Sequence, residues 1–320
     1  VAVVIGFLLR RLIATVLVLI GVSILVFLIM QLVPGDPVRT MLGQAATAQR
    51  VAEVRHQLGL DRSLVVQYLD YVGGVLHGDL GQSLTLSQPV SSILFPKLGN
   101  TMILTAGSLV ICLAIGIPLG ILAGTRQYSV LDRGSMFVAL AGASVPVYWA
   151  GLVIINVFAL QLGWFPTSGM HDTRDPGGFG DVLTHLVLPA VAAAVVPTAV
   201  VARMARGSMV EALHGEHVRM LRASGVPERL VIWKHTLRNV LPPVVNIVGL
   251  QIGYLLGGVI FVEVVFNWPG LGGQLYTSIT SGDMPMIQAG VLFIALVFVV
   301  VNLVTDIAVA LLDPRTRKAA

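Results

Sequence analysis

The run LIATVLVLIGVSILVFLIMQL, Leu12 to Leu32, carries no charged side chain and follows directly on Arg10 and Arg11. As a helix it rises about 31 Å, enough to cross a ~30 Å hydrocarbon core with every backbone group bonded inside the segment. Ala46-Thr47-Ala48 resembles a signal cleavage triplet. The run is longer than the apolar stretch of a signal, however, and the triplet lies well past its end, so an uncleaved anchor is expected.

Outward from this run the pattern repeats. Apolar stretches near 10–32, 100–124, 135–162, 183–203, 240–266 and 287–312 are each bounded by charge, Pro or Gly. With 56% hydrophobic and 11% charged residues and a mean hydropathy of +0.88, the chain reads as an all-α membrane protein of six spans. An even number puts both termini on one side. Giving that side the 125–134 and 203–238 loops leaves only Arg39, Arg50, Arg55, Arg62, Lys97 and Arg174 of the 20 basic residues on the other. The positive-inside rule then predicts cytoplasmic N- and C-termini. The pI near 9.5 is thereby a topology signal, and nucleic-acid binding is a poor explanation of it.

The organisation expected is an N-terminal segment and first span (1–32), an extracytoplasmic helical cap (33–97), a core of five spans (98–312) with a cytoplasmic loop at 204–239, and a cytoplasmic tail (313–320). The cap opens with VPGDP and predicts a polar helix ending near Gly59. A second helix, capped by Asp61, would carry Leu64, Val65, Tyr68, Leu69, Val72 and Leu76. Gly116, Gly120 and Gly124 in the second span, and Gly249, Gly253 and Gly257 in the fifth, recur every four residues and predict faces for close helix packing. Pro118, Pro146, Pro189 and Pro197 are expected to interrupt their helices. Cys112, the single cysteine, reads as a small packing residue.

Catalytic chemistry finds little support. None of the three lysines ends a Gly-rich phosphate loop, so the chain is not expected to bind ATP itself. His214 and His217 of HGEH lack the spacing of a zinc hydrolase and a third ligand, so no metal is expected. Ser108, Ser144 and His185 lie in no nucleophile motif. Polar residues inside spans are costly in lipid, and Asn246, Gln251, Glu263, Asn302 and Asp306 are read either as a translocation path or as helix-to-helix hydrogen bonding.

The segment VEALHGEHVRMLRASGVPERLVIWKHTLRNVLPP, Val210 to Pro243, concentrates eight of the 36 charged residues and three of the seven histidines. Residues 208–224 predict a helix ended by Gly225, and Pro227 would open a second helix with Glu228 at its positive end. Val218 and Leu221 beside Arg219 and Arg222 suggest an apolar face for a groove on a partner. A loop that merely satisfies the positive-inside rule remains the alternative at this level.

The elbow HVRMLRASGVPERLVIWKHTLRNVLPPVV resembles the cytoplasmic loop of ABC-importer permeases of the dipeptide/oligopeptide branch. RRLIATVLVLIGVSILVFLIMQLVPGDPV, LGLDRSLVVQYLDYVGGVLHGDLGQSL, ASVPVYWAGL, VEVVFNWPGLGGQL and NLVTDIAVALLDPRTR resemble other parts of that family in the same order. The resemblance implies a B-type permease of type I importer fold. Its implied partners are a C-type permease, two ATPase subunits, an extracytoplasmic substrate-binding protein and the lipid bilayer. ATP and Mg would sit on the partners, with no cofactor on this chain. It also implies that His217, Val218, Arg219, Leu221, Arg222, Ala223, Gly225 and Glu228 couple the chain to an ATPase. One departure stands out: where the general importer loop has Glu-Ala-Ala before its glycine, this chain has Arg219, Met220 and Leu221, so no glutamate takes the family role. Cargo stays open between peptides, nickel chelates and haem, and an ATP-independent channel or carrier is the contrasting class.

Overall fold

The computed structural model describes residues 2–32, 37–57, 59–172 and 177–312. Val33 to Asp36, Arg174 and the residues from Asp313 lie outside the described residues, as does the side chain of Asp306. The described secondary structure is helical apart from one isolated bridge between Gln82 and Pro89. In chain order the helices are α1 (Ala2–Leu32), α2 (Pro37–Leu42), α3 (Ala48–Gln57), α4 (Leu64–Leu76), α5 (Val90–Thr125), α6 (Val130–Ser144) and α7 (Val147–Ile154). They continue with α8 (Phe179–His214), α9 (Glu216–Ala223), α10 (Glu228–Leu230), α11 (Leu237–Val265), α12 (Leu271–Ser281) and α13 (Met284–Leu312). Among the described residues, five segments are long and apolar enough to cross a membrane, and α6 with α7 makes a sixth if that bent pair counts as one span.

The third expected span is the one the structure alters. Pro146 drives the preceding Val145 to φ −84°, ψ 127°, and the helices on either side diverge by 105°. α7 then widens into a π-helical turn over Ile155–Gln161. The other intramembrane prolines do not break their helices: α5 runs on through Pro118, and α8 through Pro189 and Pro197. Each costs one ladder bond, a loss that packed neighbouring helices in a membrane protein can absorb.

The chain folds as two compact units, one built on Thr101–Pro269 with the helix from Val300, the other on Leu8–Asn100 with Gly270–Val299. In the first, α8 is central. Its small residues Ala190, Ala192, Ala193, Ala194, Ala199, Ala202 and Ala205 are all buried, as close packing without a hydrophobic drive between helices requires. Its core gathers Leu104, Leu188, Leu255, Val259, Val262, Phe266 and Trp268. Cys112 is fully buried against Ala194 and Val201, a packing residue.

In the second unit, Val38, Val51 and Val54 form a small cluster under α2 and α3. The polar helix stops where expected, with Gly59 at φ +66° and Leu60 N–H donating to the Arg55 carbonyl. Asp61 does not cap the next helix. Ser63 holds that position, and Asp61 Oδ2 lies 2.6 Å from His56 Nδ1, a hydrogen bond that keeps its carboxyl below the ordinary range. Tyr68 of α4 meets Ser23 at 2.9 Å and stacks edge-on against Phe27 of α1. The beginning of α5 (Val90, Ile93, Leu94) shares a core with Leu271, Leu275, Met286 and Ala289.

Candidate functional site

The elbow begins where α8 ends. Gly215, at φ −65°, ψ 151°, is extended and separates His214 on α8 from His217 on α9, so the two histidines of HGEH belong to different helices. The single helix expected over 208–224 is therefore two, because the extended Gly215 breaks the ladder between the last residue of α8 and the first of α9. α9 closes with a glycine cap: Val226 N–H donates to Leu221 O at 3.1 Å and Gly225 N–H to Arg222 O at 3.0 Å, with Gly225 at φ +76°. Pro227 is the residue before α10 and not its first, and its carbonyl accepts from Leu230 and Val231 N–H. A π-helical turn, Val231–Thr236, then leads into α11, with Thr236 Oγ1 donating to Val231 O.

Side chains give the elbow its shape. Arg222 Nε and a terminal nitrogen donate to the two oxygens of Glu228 at 3.1 and 2.6 Å, clipping α9 to α10 across the glycine bend. Another Arg222 nitrogen reaches the Leu213 carbonyl at 3.5 Å. Arg219 stays exposed and forms no ion pair among the described residues. Val218 is 1% exposed and Leu221 half-buried, so the apolar pair faces the protein; the large apolar side chain exposed on α9 is Met220. His217 and Ala223 are exposed, and the His217 ring meets that of His235 at 6.1 Å between centroids.

Among the described residues, the intramembrane polar side chains differ in burial. Glu263 is 1% exposed and accepts from Thr101 Oγ1 at 2.6 Å, and Gln251 is buried. Asn246 is exposed and Asn302 half-buried. The serines weighed as nucleophiles are spent on their own helices, Ser108 Oγ on Leu104 O and Ser144 Oγ on Leu140 O.

The glycines separate into two kinds. A Cβ on Gly116 would lie 3.1 Å from Thr198 O, one on Gly124 2.7 Å from Met209 Cβ, and one on Gly120 would overlap the Ala202 carbonyl oxygen and sit 2.6 Å from Ala205 Cβ. In α11 a Cβ on Gly249 would strike Thr305, and Gly253 is buried, whereas Gly257 faces open space.

Two buried carboxylates were not foreseen. Asp132, 2% exposed, holds Arg206 through two hydrogen bonds, one of them 2.8 Å, and also accepts Tyr128 N–H at 2.8 Å. This fastens the α5–α6 corner to α8 a few residues ahead of the elbow. Asp283, fully buried, accepts from Ser83 Oγ, Leu84 N–H (3.1 Å), Thr85 Oγ1 (2.8 Å) and, on its own helix, Met286 N–H (3.4 Å). Its sequence signal is legible in hindsight: Gly282 at φ +71° ends α12, and Asp followed by Met-Pro is a helix start.

These features define a multi-span helical membrane protein that presents a shaped, polar elbow at one end of its bundle. Its relatives place it further: the chain belongs to the family described as binding-protein-dependent transport system inner membrane component, whose model matches residues 116–318, and the N-terminal model of such components matches 4–105. It is 39% identical to the dipeptide transport system permease protein DppB of Alkalihalophilus pseudofirmus, covering 96% of this chain and 98% of that one. It is 38% identical to the di/tripeptide permease DppB of Pseudomonas aeruginosa, at 98% coverage of both. It is also 40% identical to the glutathione transport system permease GsiC of Salmonella choleraesuis, covering 98% of this chain and 99% of that one. Among solved structures, the MetNI methionine ABC transporter in an inward-facing conformation shares the fold, with a TM-score of 0.55 at 18% identity, covering 71% of this chain and all of that one.

Proposed function

We propose that this chain is a permease subunit of an ATP-binding-cassette importer and forms half of the path for dipeptides or similarly small peptides. The carrying observation is similarity over 96–98% of the chain to permeases named for dipeptide, di/tripeptide and glutathione transport. The three identities differ by only two points, so the chain's likeness is to small-peptide permeases as a group. On this reading both termini and the elbow are cytoplasmic and residues 33–97 form the external cap, supported by the uneven spread of basic residues. The domain limits 1–32, 33–97, 98–312 and 313–320 follow the same topology. A second permease completes the path, two ATPase subunits supply the work, and an external protein delivers substrate.

In this scheme α9 docks on an ATPase subunit. His217, Arg219, Met220 and Ala223 meet it, Val218 and Leu221 anchor the helix from within, and the Arg222–Glu228 clip and Gly225 fix its angle. ATP-driven closure of the ATPase pair moves the elbow, and with it α8 and α11, so that the populations of inward- and outward-open states shift. Of the five polar residues singled out in the sequence, we assign to the path Asn246 and Asn302, whose side chains are not buried, together with Asp306; Glu263 and Gln251 brace helices.

The test is reconstitution of the chain with its partner subunits in vesicles. Peptide uptake should require ATP, the ATPase subunits and the binding protein; uptake by the chain alone would instead make it a carrier. Uptake of haem or a nickel chelate in place of peptides would keep the architecture and replace the cargo. Gly225→Val forces a β-branched residue into left-handed backbone at a cost of about 1–2 kcal/mol, and binding-protein-stimulated ATP hydrolysis should fall at least tenfold in assembled complexes. Unchanged stimulation would sink the elbow assignment. Arg222→Glu should lower coupling, and the double change Arg222→Glu with Glu228→Arg should restore most of it. Failure of the double change would mean that Arg222 contacts the ATPase directly.

A further inference from the structure

Helix α4 is fastened to a membrane span at a depth that water does not reach. Arg10 and Arg11 fix one edge of the α1 span, and the uncharged run Leu12–Leu32 brings the other edge to Leu32, about 30 Å away. Ser23 then stands about 14 Å inside that edge and Phe27 about 8 Å inside it, at ~1.5 Å per residue. Tyr68 of α4 meets both. Its hydroxyl lies 2.9 Å from Ser23 Oγ, and its ring packs edge-on against that of Phe27 at 5.5 Å. Ser23, Val26 and Phe27 are the buried side chains of α1 among the described residues, whereas Leu25 and Leu28 at the same level are exposed, where a span meets lipid.

Beside this contact α4 presents an apolar stripe. Val65, Leu69, Val72 and Leu76 follow one another at four-, three- and four-residue steps and so share one helix face. Val65, Leu69 and Leu76 are 69%, 61% and 80% exposed. Polar groups lie elsewhere: Asp70, about 130° round the helix from the stripe, pairs with Arg62 at 3.1 Å, and Gln67 donates to the Leu60 and Arg62 carbonyls. At 13 residues, about 20 Å, α4 is too short to cross a bilayer. Asp61 and Arg62 precede it, and His77 and Asp79 follow it. Standing upright beside Ser23, it would drive one of these polar ends deep into hydrocarbon, where charge is costly. Lying flat, it keeps both ends wet and turns the stripe to the acyl chains, the placement of an interfacial amphipathic helix.

We propose that α4 is such a helix, with its Val65, Leu69, Val72 and Leu76 face seated in the lipid that already surrounds Leu25 and Leu28. This part of the 33–97 segment is then membrane-bound and not aqueous cap. The proposal needs only that α1 crosses the bilayer. On the importer reading, it narrows the surface left for a binding protein to 37–57 and the 79–90 hairpin.

The complete complex is assembled in nanodiscs with a nitroxide on Val65→Cys, Leu69→Cys, Leu76→Cys or Asp70→Cys, and on Leu25→Cys of α1 as the lipid reference. Cys112 is fully buried, and the signal of the complex without an added cysteine is subtracted. Collision of each label with oxygen, which concentrates in lipid, is compared with collision with water-soluble chromium oxalate. The oxygen-to-oxalate ratio at 65, 69 and 76 should approach that at 25 and exceed that at 70 at least about fivefold, as expected of a face buried ~5–10 Å below the head groups. Ratios at all four α4 positions as low as that at 70 would place the helix in water and overturn the proposal. Low collision with both reagents would mean that a protein covers the stripe, and would overturn it equally. A watery ratio at 25 would remove the α1 span itself and with it the membrane topology. The unsubstituted complex gives a second readout: phosphatidylcholine with a diazirine in its acyl chain should cross-link to peptides from 64–76 as well as to α1, and labelling of α1 alone would overturn the proposal.

Discussion

Gly120→Ala is expected to destabilise the chain more than an alanine at any other glycine of the four-residue series in α5, because its methyl group meets backbone. The Cβ would overlap the Ala202 carbonyl oxygen and lie 2.6 Å from Ala205 Cβ and 3.1 Å from Arg206 N. No rotamer relieves such a contact; α5 or α8 must move. Overpacking of this kind costs about 1–3 kcal/mol, and the upper part of that range applies where the obstacle is main chain. Gly257→Ala is the control, since its Cβ meets nothing within 4 Å and alanine is the better helix former by up to ~1 kcal/mol. Thermal unfolding of the purified complex in detergent should drop by several degrees for Gly120→Ala and stay level or rise for Gly257→Ala. Equal midpoints would show that α5 and α8 are not in the close contact described. The consequence reaches the elbow: α8 carries it, and Arg206, beside the Gly120 contact, is also the partner of Asp132.

What could be read from the residues alone follows the physics of the bilayer. The five long apolar spans, the end of α3 near Gly59 and the glycine bend at 225 were legible because length, hydropathy and left-handed backbone are local properties. The glycine repeats were legible as a pattern, but only contact distances separate Gly120 from Gly257, since repeat spacing ignores what stands opposite. The broken third span was half visible: Pro146 signalled a disturbance, as did Pro118, Pro189 and Pro197, and local sequence does not say which proline its neighbours will tolerate. The inward turn of Val218 was hidden because α9 is one short helix with charges on either side of its apolar pair, and the extended Gly215 that sets its rotation reads as an ordinary glycine. Asp132 and Asp283 were missed for a plainer reason. Their partners lie 74 and 200 residues away, at Arg206 and Ser83, and a single sequence carries no record of such pairs.

Asp283 carries the second large effect. Its carboxylate is fully buried and gathers donors from the 83–85 turn as well as from the first turn of α13. The turn itself is a small hairpin in which Ser83 N–H donates to Gln88 O and Val90 N–H to Gly81 O. Without the carboxylate, Ser83 Oγ, Thr85 Oγ1 and Leu84 N–H would be left without a charged acceptor. Hydrogen bonds to an ionised group contribute about 1.5–3 kcal/mol each, and buried donors left unpaired cost about 1–3, so Asp283→Ala should lose at least ~3 kcal/mol locally even with strong non-additivity. Asp283→Asn keeps one acceptor oxygen and should fall between. Ser83→Ala removes one donor to the carboxylate and also the acceptor of Leu86 N–H at 3.0 Å, and should cost about 1–2 kcal/mol, less than Asp283→Ala. Hydrogen exchange of the backbone amides over residues 79–90 reads the result: roughly 100-fold faster exchange in Asp283→Ala, less in Asp283→Asn, and least in Ser83→Ala. Unaltered protection in Asp283→Ala would mean that the hairpin is held by the Val90, Leu94, Leu275 and Met286 core without the carboxylate. If protection is lost, the hairpin and the α12–α13 corner move as one body. On the proposed reading, a binding protein that lands on the cap then pulls directly on the helix that enters the last span.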